Sequence, residues 1–137
     1  MNEIKTSILT REVMDKNFLI IDSSLPLINC VKKMSNKYEA CLVVKDGNFF
    51  GVLGKDDILR GFMYSKNKDT RIEDIKIKKN FEVVNPRTDI YETLLLMKKN
   101  DVDFIVVKDS KKFIGLITKR EITEIEPLLF ENLNRTT

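Results

Sequence analysis

Two tetrapeptides place an acidic side chain three residues after a small or hydroxyl-bearing residue. Each is followed by an apolar stretch with helical spacing, so each marks a helix start. Thr-x-x-Glu at such a start is typical of a capping box, in which two side chains satisfy backbone N–H groups. In the other copy, Asp57 is a first-turn acid of the kind that the helix dipole favours. The tetrapeptides are Gly54-Lys55-Asp56-Asp57 and Thr118-Lys119-Arg120-Glu121.

Three cations occupy the same helix starts, where the dipole disfavours positive charge. They are Lys55, Lys119 and Arg120. A phosphate bound nearby would offset this unfavourable placement. The three cations therefore favour an anionic ligand. Alternatively, the three side chains point away from the helix start and are solvated, as most surface charges are.

Other chemistries find little support in the composition. The chain contains no histidine, and Cys30 and Cys41 lack metal-type spacing, so we expect no metal site. Both cysteines sit in apolar patterns that predict buried, reduced thiols. There is no activated-nucleophile motif and no Gly-rich phosphate loop, and the adjacent side chains of Asp56 and Asp57 diverge on a helix. We therefore expect no catalytic residues and predict that the protein is not an enzyme.

The charge balance and the apolar runs limit the partners and the location. Lys and Arg total 24, Asp and Glu total 21, and the net charge of +3 is spread along the chain. A nucleic-acid binder concentrates its basic residues, so nucleic acid is an unlikely partner. No signal-peptide pattern opens the sequence, and residues 94–97, one of the longest apolar runs, are too short to cross a bilayer. We expect a soluble cytoplasmic protein with no membrane contact.

The sequence repeats itself. Residues 41–53 read CLVVKDGNFFGVL and residues 104–117 read FIVVKDSKKFIGLI, each an apolar strand, a Lys-Asp turn and a second strand. This alignment pairs Val43 with Val106 and gives the second copy one more turn residue. Upstream, two apolar triplets match with the i, i+4, i+7 spacing of one helix face. They are Leu27, Val31 and Met34 in the first copy and Ile90, Leu94 and Met97 in the second.

Each copy reads as a β-α-β-β-α unit. The first strands are predicted at 18–21 and 81–84, with Ser24 and Thr88 as helix caps and a hairpin turn at Asp46-Gly47. Neither copy is long enough for a comfortable core alone. We predict an α/β fold of two pseudo-symmetric units packed through their sheets. The predicted boundaries are 1–64 for the first unit with its N-terminal segment, 65–71 for a linker and 72–137 for the second unit with its C-terminal tail.

The repeated segments LVVKDGNFFGVLGKDDIL at 42–59 and IVVKDSKKFIGLITKREI at 105–122 resemble a tandem pair of cystathionine-β-synthase (CBS) domains, a Bateman module. This resemblance implies clefts between the repeats, a homodimer, and regulatory binding of an adenosine-containing ligand. The ligands it suggests are AMP, ADP, ATP or S-adenosylmethionine, as in energy sensing. It implies no other cofactor.

The resemblance also implies site residues. In this family the hydroxyl and the acid of the tetrapeptide contact ribose or phosphate. The first copy has Asp57 but Gly54 in place of the hydroxyl, and the second has Thr118 but the longer Glu121. Positions just before the central strands line the base pocket and correspond to Ala40 and Asp103, while Ser23 could reach a phosphate. The set of expected ligand contacts is completed by Lys55, Lys119 and Arg120.

We thus expect a regulatory module that binds an adenosine-containing ligand and signals to an effector protein, unknown from the sequence, by conformational change. The alternative is a ligand-free dimeric interaction module, which the incomplete tetrapeptides favour. An apolar patch near the C-terminus favours contact with a second subunit, with coverage of the core edge as the other reading. Its residues are Leu128, Leu129, Phe130 and Leu133.

Overall fold

Two three-stranded sheets with flanking helices make up the α/β fold in the computed structural model, which describes residues 4–135. In each sheet the first strand runs parallel to the second, and the second pairs with the third in an antiparallel hairpin. In chain order the elements are α1 (Thr10–Val13), β1 (Leu19–Asp22), α2 (Leu27–Met34), β2 (Ala40–Lys45), β3 (Asn48–Gly54), α3 (Lys55–Ser65), a 3-10 turn (Ile72–Asp74), β4 (Phe81–Val84), α4 (Ile90–Lys99), β5 (Phe104–Asp109), β6 (Lys112–Ile117) and α5 (Lys119–Arg135).

Each sheet buries one apolar cluster under its crossover helix. In the first repeat, Leu27 and Met34 of α2 pack with Val43 of β2. In the second, Ile90 and Met97 of α4 take the same places, as their helical spacing predicted. The central strands carry continuous apolar runs. Each lies between two partner strands and is covered by a helix, so it exposes little surface to water.

The two hairpins have turns of equal length, which corrects the sequence alignment. Lys45 pairs with Asn48 and Asp109 pairs with Lys112, so each turn has two residues. Structurally, Val43 is therefore equivalent to Val107 and not to Val106, and the additional residue of the second copy lies before β5. The difference matters because a shift of one residue moves a side chain to the opposite face of the sheet.

The hairpin turn predicted at Asp46-Gly47 is confirmed. Asp46 has φ 51° and Gly47 has φ 78°, so both residues are left-handed, as a type I′ turn requires. A β-bulge follows in each hairpin, between Val43 and Val44 in the first and between Val107 and Lys108 in the second. The same irregularity in both copies supports the duplication.

The predicted helix caps were wrong. Pro26 precedes α2 and offers no side-chain cap, while the hydroxyl of Ser24 donates to Asp22 Oδ1 at 2.7 Å. That hydroxyl and the Ser24 backbone N–H lower the pKa of the Asp22 carboxyl. At the second helix the cap is Asp89, one residue after Thr88, and its Oδ1 accepts the N–H of Tyr91.

The chain forms two compact units whose membership differs from the predicted sequence boundaries. Phe18–Lys79 is one unit, and residues through Asn17 join those from Asn80 onward in the other. The N-terminal segment thus packs with the second repeat. Its Thr10 hydroxyl hydrogen bonds to that of Thr93 at 2.8 Å, and both are fully buried.

Asp89 holds this segment in place. Besides capping α4, its carboxylate accepts both N–H and hydroxyl of Thr6 and the N–H of Ser7, at 2.9 to 3.1 Å. Met14 lies over Gly115, where an added Cβ would collide with it. The absence of a side chain at Gly115 therefore lets the segment approach β6.

We predict that Asp89→Ala lowers the free energy of unfolding by about 2 kcal/mol, since it removes a helix cap and the acceptor for three donors of the segment. Urea denaturation followed by circular dichroism measures the change. Asp89→Asn retains one acceptor oxygen and should lose less. Equal stability of Asp89→Ala and the unmodified protein would show that the segment is not held by this carboxylate.

Candidate functional site

The first helix start is built directly on the end of a strand. β3 ends at Gly54 and α3 begins at the next residue, while Ala40 lies opposite Gly54 across the hairpin. The Gly54 N–H donates to Asp57 Oδ2 at 2.8 Å, and Asp57 is only 6% exposed. The structure therefore brings together Ala40, Gly54 and Asp57, and the Asp57 carboxylate is hydrogen bonded to the backbone at the junction.

Arg60 completes this group and was missed by the sequence analysis. Its Nη2 donates to Asp57 Oδ1 at 2.6 Å, and its side chain is 55% exposed. Each oxygen of the Asp57 carboxylate thus has a donor from its own chain. The signal that could have found Arg60 is its spacing, because residues three apart on a helix are neighbours.

The second helix start has the full capping box expected from Thr-x-x-Glu. The Thr118 N–H and hydroxyl both donate to Glu121 Oε1 at 2.7 Å, and the Arg120 N–H donates to Thr118 Oγ1 at 3.2 Å. Thr118 and Glu121 are buried. Their side chains therefore satisfy backbone donors of the helix start without a ligand.

The lysines at the two helix starts form equivalent ion pairs. Lys55 Nζ lies 3.6 Å from Glu39, and Lys119 Nζ lies 3.8 Å from Asp103. Because the hairpins align at a constant offset, Glu39 and Asp103 hold the same position before β2 and β5. The sequence alignment instead matched Asp103 with Ala40. The four side chains are between 42% and 83% exposed, so each pair contributes little to stability.

Ser23 lies far from this group within its unit. Its N–H donates to the carbonyl of Val44, at the end of β2 opposite to Ala40, which places it about 13 Å along the strand. Its hydroxyl donates to Glu73 Oε2 at 3.0 Å. The structure therefore does not bring Ser23 to the helix start that carries Asp57.

The cysteines are buried and free, as predicted. The hydrogen bond with Cys30 and the burial of the site raise the pKa of the Cys41 thiol, so it stays protonated.

Across residues 4–135 no cluster of His, Cys, Asp and Glu is suited to a metal ion. Within the same range no helix is long and apolar enough to cross a membrane.

Comparison with known proteins decides the family. The model of the CBS domain matches twice, at residues 10–64 and 72–127. The chain belongs to the CBS domain family. The two matches are in tandem and coincide with the duplication, so the resemblance inferred from the repeated segments is confirmed.

Similar proteins agree with this CBS domain pair. A conserved protein of Pyrococcus horikoshii superposes with a TM-score of 0.78 at 22% identity, covering 90% of this chain and 95% of that one. The CBS domain pair of protein MJ0100, solved with 5′-methylthioadenosine and S-adenosyl-L-methionine, superposes at 0.75 with 17% identity, covering 88% and 96%. At these identities the likenesses show the fold.

A longer relative contains a similar segment. A protein of Methanocaldococcus jannaschii is 26% identical over 112 residues, which cover 80% of this chain and 36% of the relative. This chain therefore spans about a third of that relative's length.

We predict that Glu121→Ala lowers the free energy of unfolding by about 2 kcal/mol, because the buried N–H and hydroxyl of Thr118 lose their acceptor. Thermal denaturation with a calorimeter measures this. Lys119→Ala, which breaks only an exposed ion pair, is the matched control and should cost less than about 0.5 kcal/mol. A cost for Glu121→Ala as small as that of the control would contradict a structural role for the carboxylate.

Proposed function

We propose that this CBS domain pair is a regulatory module that binds an adenosine-containing ligand, with Asp57 contacting the ribose. The observation that carries the proposal is the buried Asp57 carboxylate at the strand-to-helix junction, hydrogen bonded to the N–H of Gly54, which pairs with Ala40 across the hairpin. A carboxylate can accept both vicinal hydroxyls of a ribose. The neighbour solved with S-adenosyl-L-methionine and 5′-methylthioadenosine supports this ligand class.

The first helix start offers more to a ligand than the second. In the second, Thr118 accepts the N–H of Arg120. In the first, Gly54 has no hydroxyl, so the equivalent N–H of Asp56 has no such side-chain acceptor. A ligand phosphate can take that place, since helix N-termini attract anions. We therefore assign the preferred ligand to the Asp57 side and expect Thr118 and Glu121 to act chiefly as a cap.

The remaining expected contacts fit around this centre. Lys55 is within reach of an anionic group at the same helix start, and its exposed pair with Glu39 costs little to break. Lys119 and Arg120 offer the corresponding charges at the second site. Lys119 forms the equivalent exposed pair with Asp103, so this ion pair does not distinguish the two sites.

We predict that AMP, ADP, ATP, S-adenosylmethionine or 5′-methylthioadenosine raises the melting temperature. A ligand at a hundred times its dissociation constant stabilises the fold by about 2.7 kcal/mol, or several degrees in a domain of this size. Asp57→Asn keeps an acceptor for the Gly54 N–H but weakens the ribose contact, so affinity should fall by about tenfold. Differential scanning fluorimetry and calorimetry measure both effects.

The control for this experiment is Asp109→Asn, which removes an exposed charge at the far end of β5. It should leave the ligand affinity unchanged. Binding that Asp57→Asn does not weaken would refute the assigned contact, and a panel without any response would refute the ligand class. Chromatography of the incubated ligands should show no turnover, as expected of a sensor that is not an enzyme.

The signal would pass to a separate effector protein. A ligand shifts a conformational equilibrium only through different affinities for two states. A carboxylate that exchanges Arg60 for a ribose provides such a difference at the helix start. Sensing of the cellular adenosine nucleotide pool would place the module in the cytoplasm.

A ligand-free dimeric interaction module is the second candidate. The observation that favours it is the engagement of Asp57 and Glu121 by donors of their own chain. At the C-terminus, Leu129 packs on the core of its unit, whereas Leu128 and Phe130 are more than half exposed. The predicted patch thus divides into a core-covering part and a part open to a second subunit.

We predict a homodimer that Phe130→Asp weakens, because a charge would replace an exposed apolar ring at the contact. Light scattering after size exclusion, over a dilution series, measures the mass. Glu131→Asp, which changes an exposed neighbour that is already acidic, is the control and should leave the mass unchanged. A monomer at every concentration would remove both the homodimer and this alternative.

A further inference from the structure

A half-open cavity of about 490 Å³ lies in the Phe18–Lys79 unit, beside the second and third turns of α3. Its volume is within the range of small-molecule sites. The cavity is formed between α3 and the segment that leaves the 3-10 turn. The lining residues that matter below are Arg60, Gly61, Tyr64, Asp74, Ile75 and Lys76.

The floor of this cavity is apolar and well supported. Gly61 is buried, and a Cβ added there would lie 2.9 Å from Leu27 and 3.3 Å from Ile75. The helix therefore approaches the core closely at this point. Ile75 itself packs against the core cluster of the unit. Tyr64, 85% exposed, stands at the rim and offers a flat ring to an occupant.

The rim carries excess positive charge. Lys76 is exposed and forms no ion pair within the part of the chain that the structure describes. Arg60 gives one nitrogen to Asp57, and its planar guanidinium has further N–H donors. Asp74 is the single acid among the lining residues, so two cations face one carboxylate.

We propose that this cavity binds a small organic anion that carries a flat apolar group. Lys76 and Arg60 contact the acidic group, and Tyr64 packs on the flat group above Ile75. Two cations from separate elements converge on one opening, which suits a carboxylate or phosphate. An exposed tyrosine ring beside an apolar floor suits an aromatic or similar planar body. This cavity is a separate site from the one proposed for the adenosine ligand, although Arg60 borders both.

Phenyl phosphate is a suitable probe, titrated into the full chain and followed by ¹H–¹⁵N NMR. We expect saturable shifts at Gly61, Ser65 and Lys76. Benzyl alcohol, which has the ring without the charge, should bind at least severalfold more weakly. Lys76→Gln should weaken phenyl phosphate binding by roughly 2- to 5-fold, and Asp74→Asn should strengthen it by a similar factor.

Lys78→Gln is the matched control, because Lys78 is exposed two residues away and does not line the cavity. It should leave the affinity unchanged. If Lys76→Gln and Lys78→Gln weaken phenyl phosphate binding equally, the effect comes from general surface charge and the proposal is overturned. Shifts confined to residues 54–57, or no saturation, would also overturn it. None of these outcomes depends on whether an adenosine ligand binds.

Discussion

The direct junction of strand and helix at the end of each hairpin is the constraint on which the candidate sites depend. β3 runs into α3 without an intervening loop, and only Thr118 separates β6 from α5. Backbone donors at such a junction are shielded from water and need acceptors. An acid at the third helical position supplies one in both repeats. The same geometry that stabilises the junction therefore places a buried carboxylate at each helix start.

The two junctions solve this problem differently. In the second repeat, Thr118 and Glu121 satisfy each other and the backbone, which leaves little for a ligand to replace. In the first repeat, the hydroxyl is missing and an exposed arginine from the next turn supplies the second partner of the carboxylate. A partner on a long, half-solvated side chain is easier to displace than a buried cap, because it returns to water at small cost. The two repeats therefore differ after the duplication: the carboxylate of the first repeat has the partner that is easier to displace.

Much of the fold could be predicted from the sequence, since it rests on local patterns. The apolar spacing of α2 and α4 and the Asp46-Gly47 turn gave the elements, and the duplication gave their order. The register could not be obtained in this way. Matching the identical Val-Val-Lys-Asp runs misplaced the additional residue, because identity of letters does not report which face of a strand is buried.

What the sequence could not predict are contacts between residues distant along the chain. Asp89 binds the N-terminal segment, more than eighty residues away, and no periodic pattern predicts such a contact. It also replaced Thr88 as the cap, because a carboxylate there serves the helix and the segment at once. At the candidate site, Asp57 and Thr118 were found from a motif, whereas the spacing of Arg60 from Asp57 permits a contact but does not by itself show that the guanidinium turns back along the helix.

Arg60 is also the residue through which the two candidate sites of the first repeat meet. On one side it pairs with Asp57, and on the other it lines the cavity beside Tyr64. If an anion binds in the cavity and a ribose binds at Asp57, as proposed, both would act on this one side chain, the first by attracting it and the second by replacing it. Both would draw the guanidinium away from the carboxylate, so the two binding events would favour the same arrangement of Arg60. Thermodynamic linkage then requires the sites to assist each other to the extent that each prefers that arrangement.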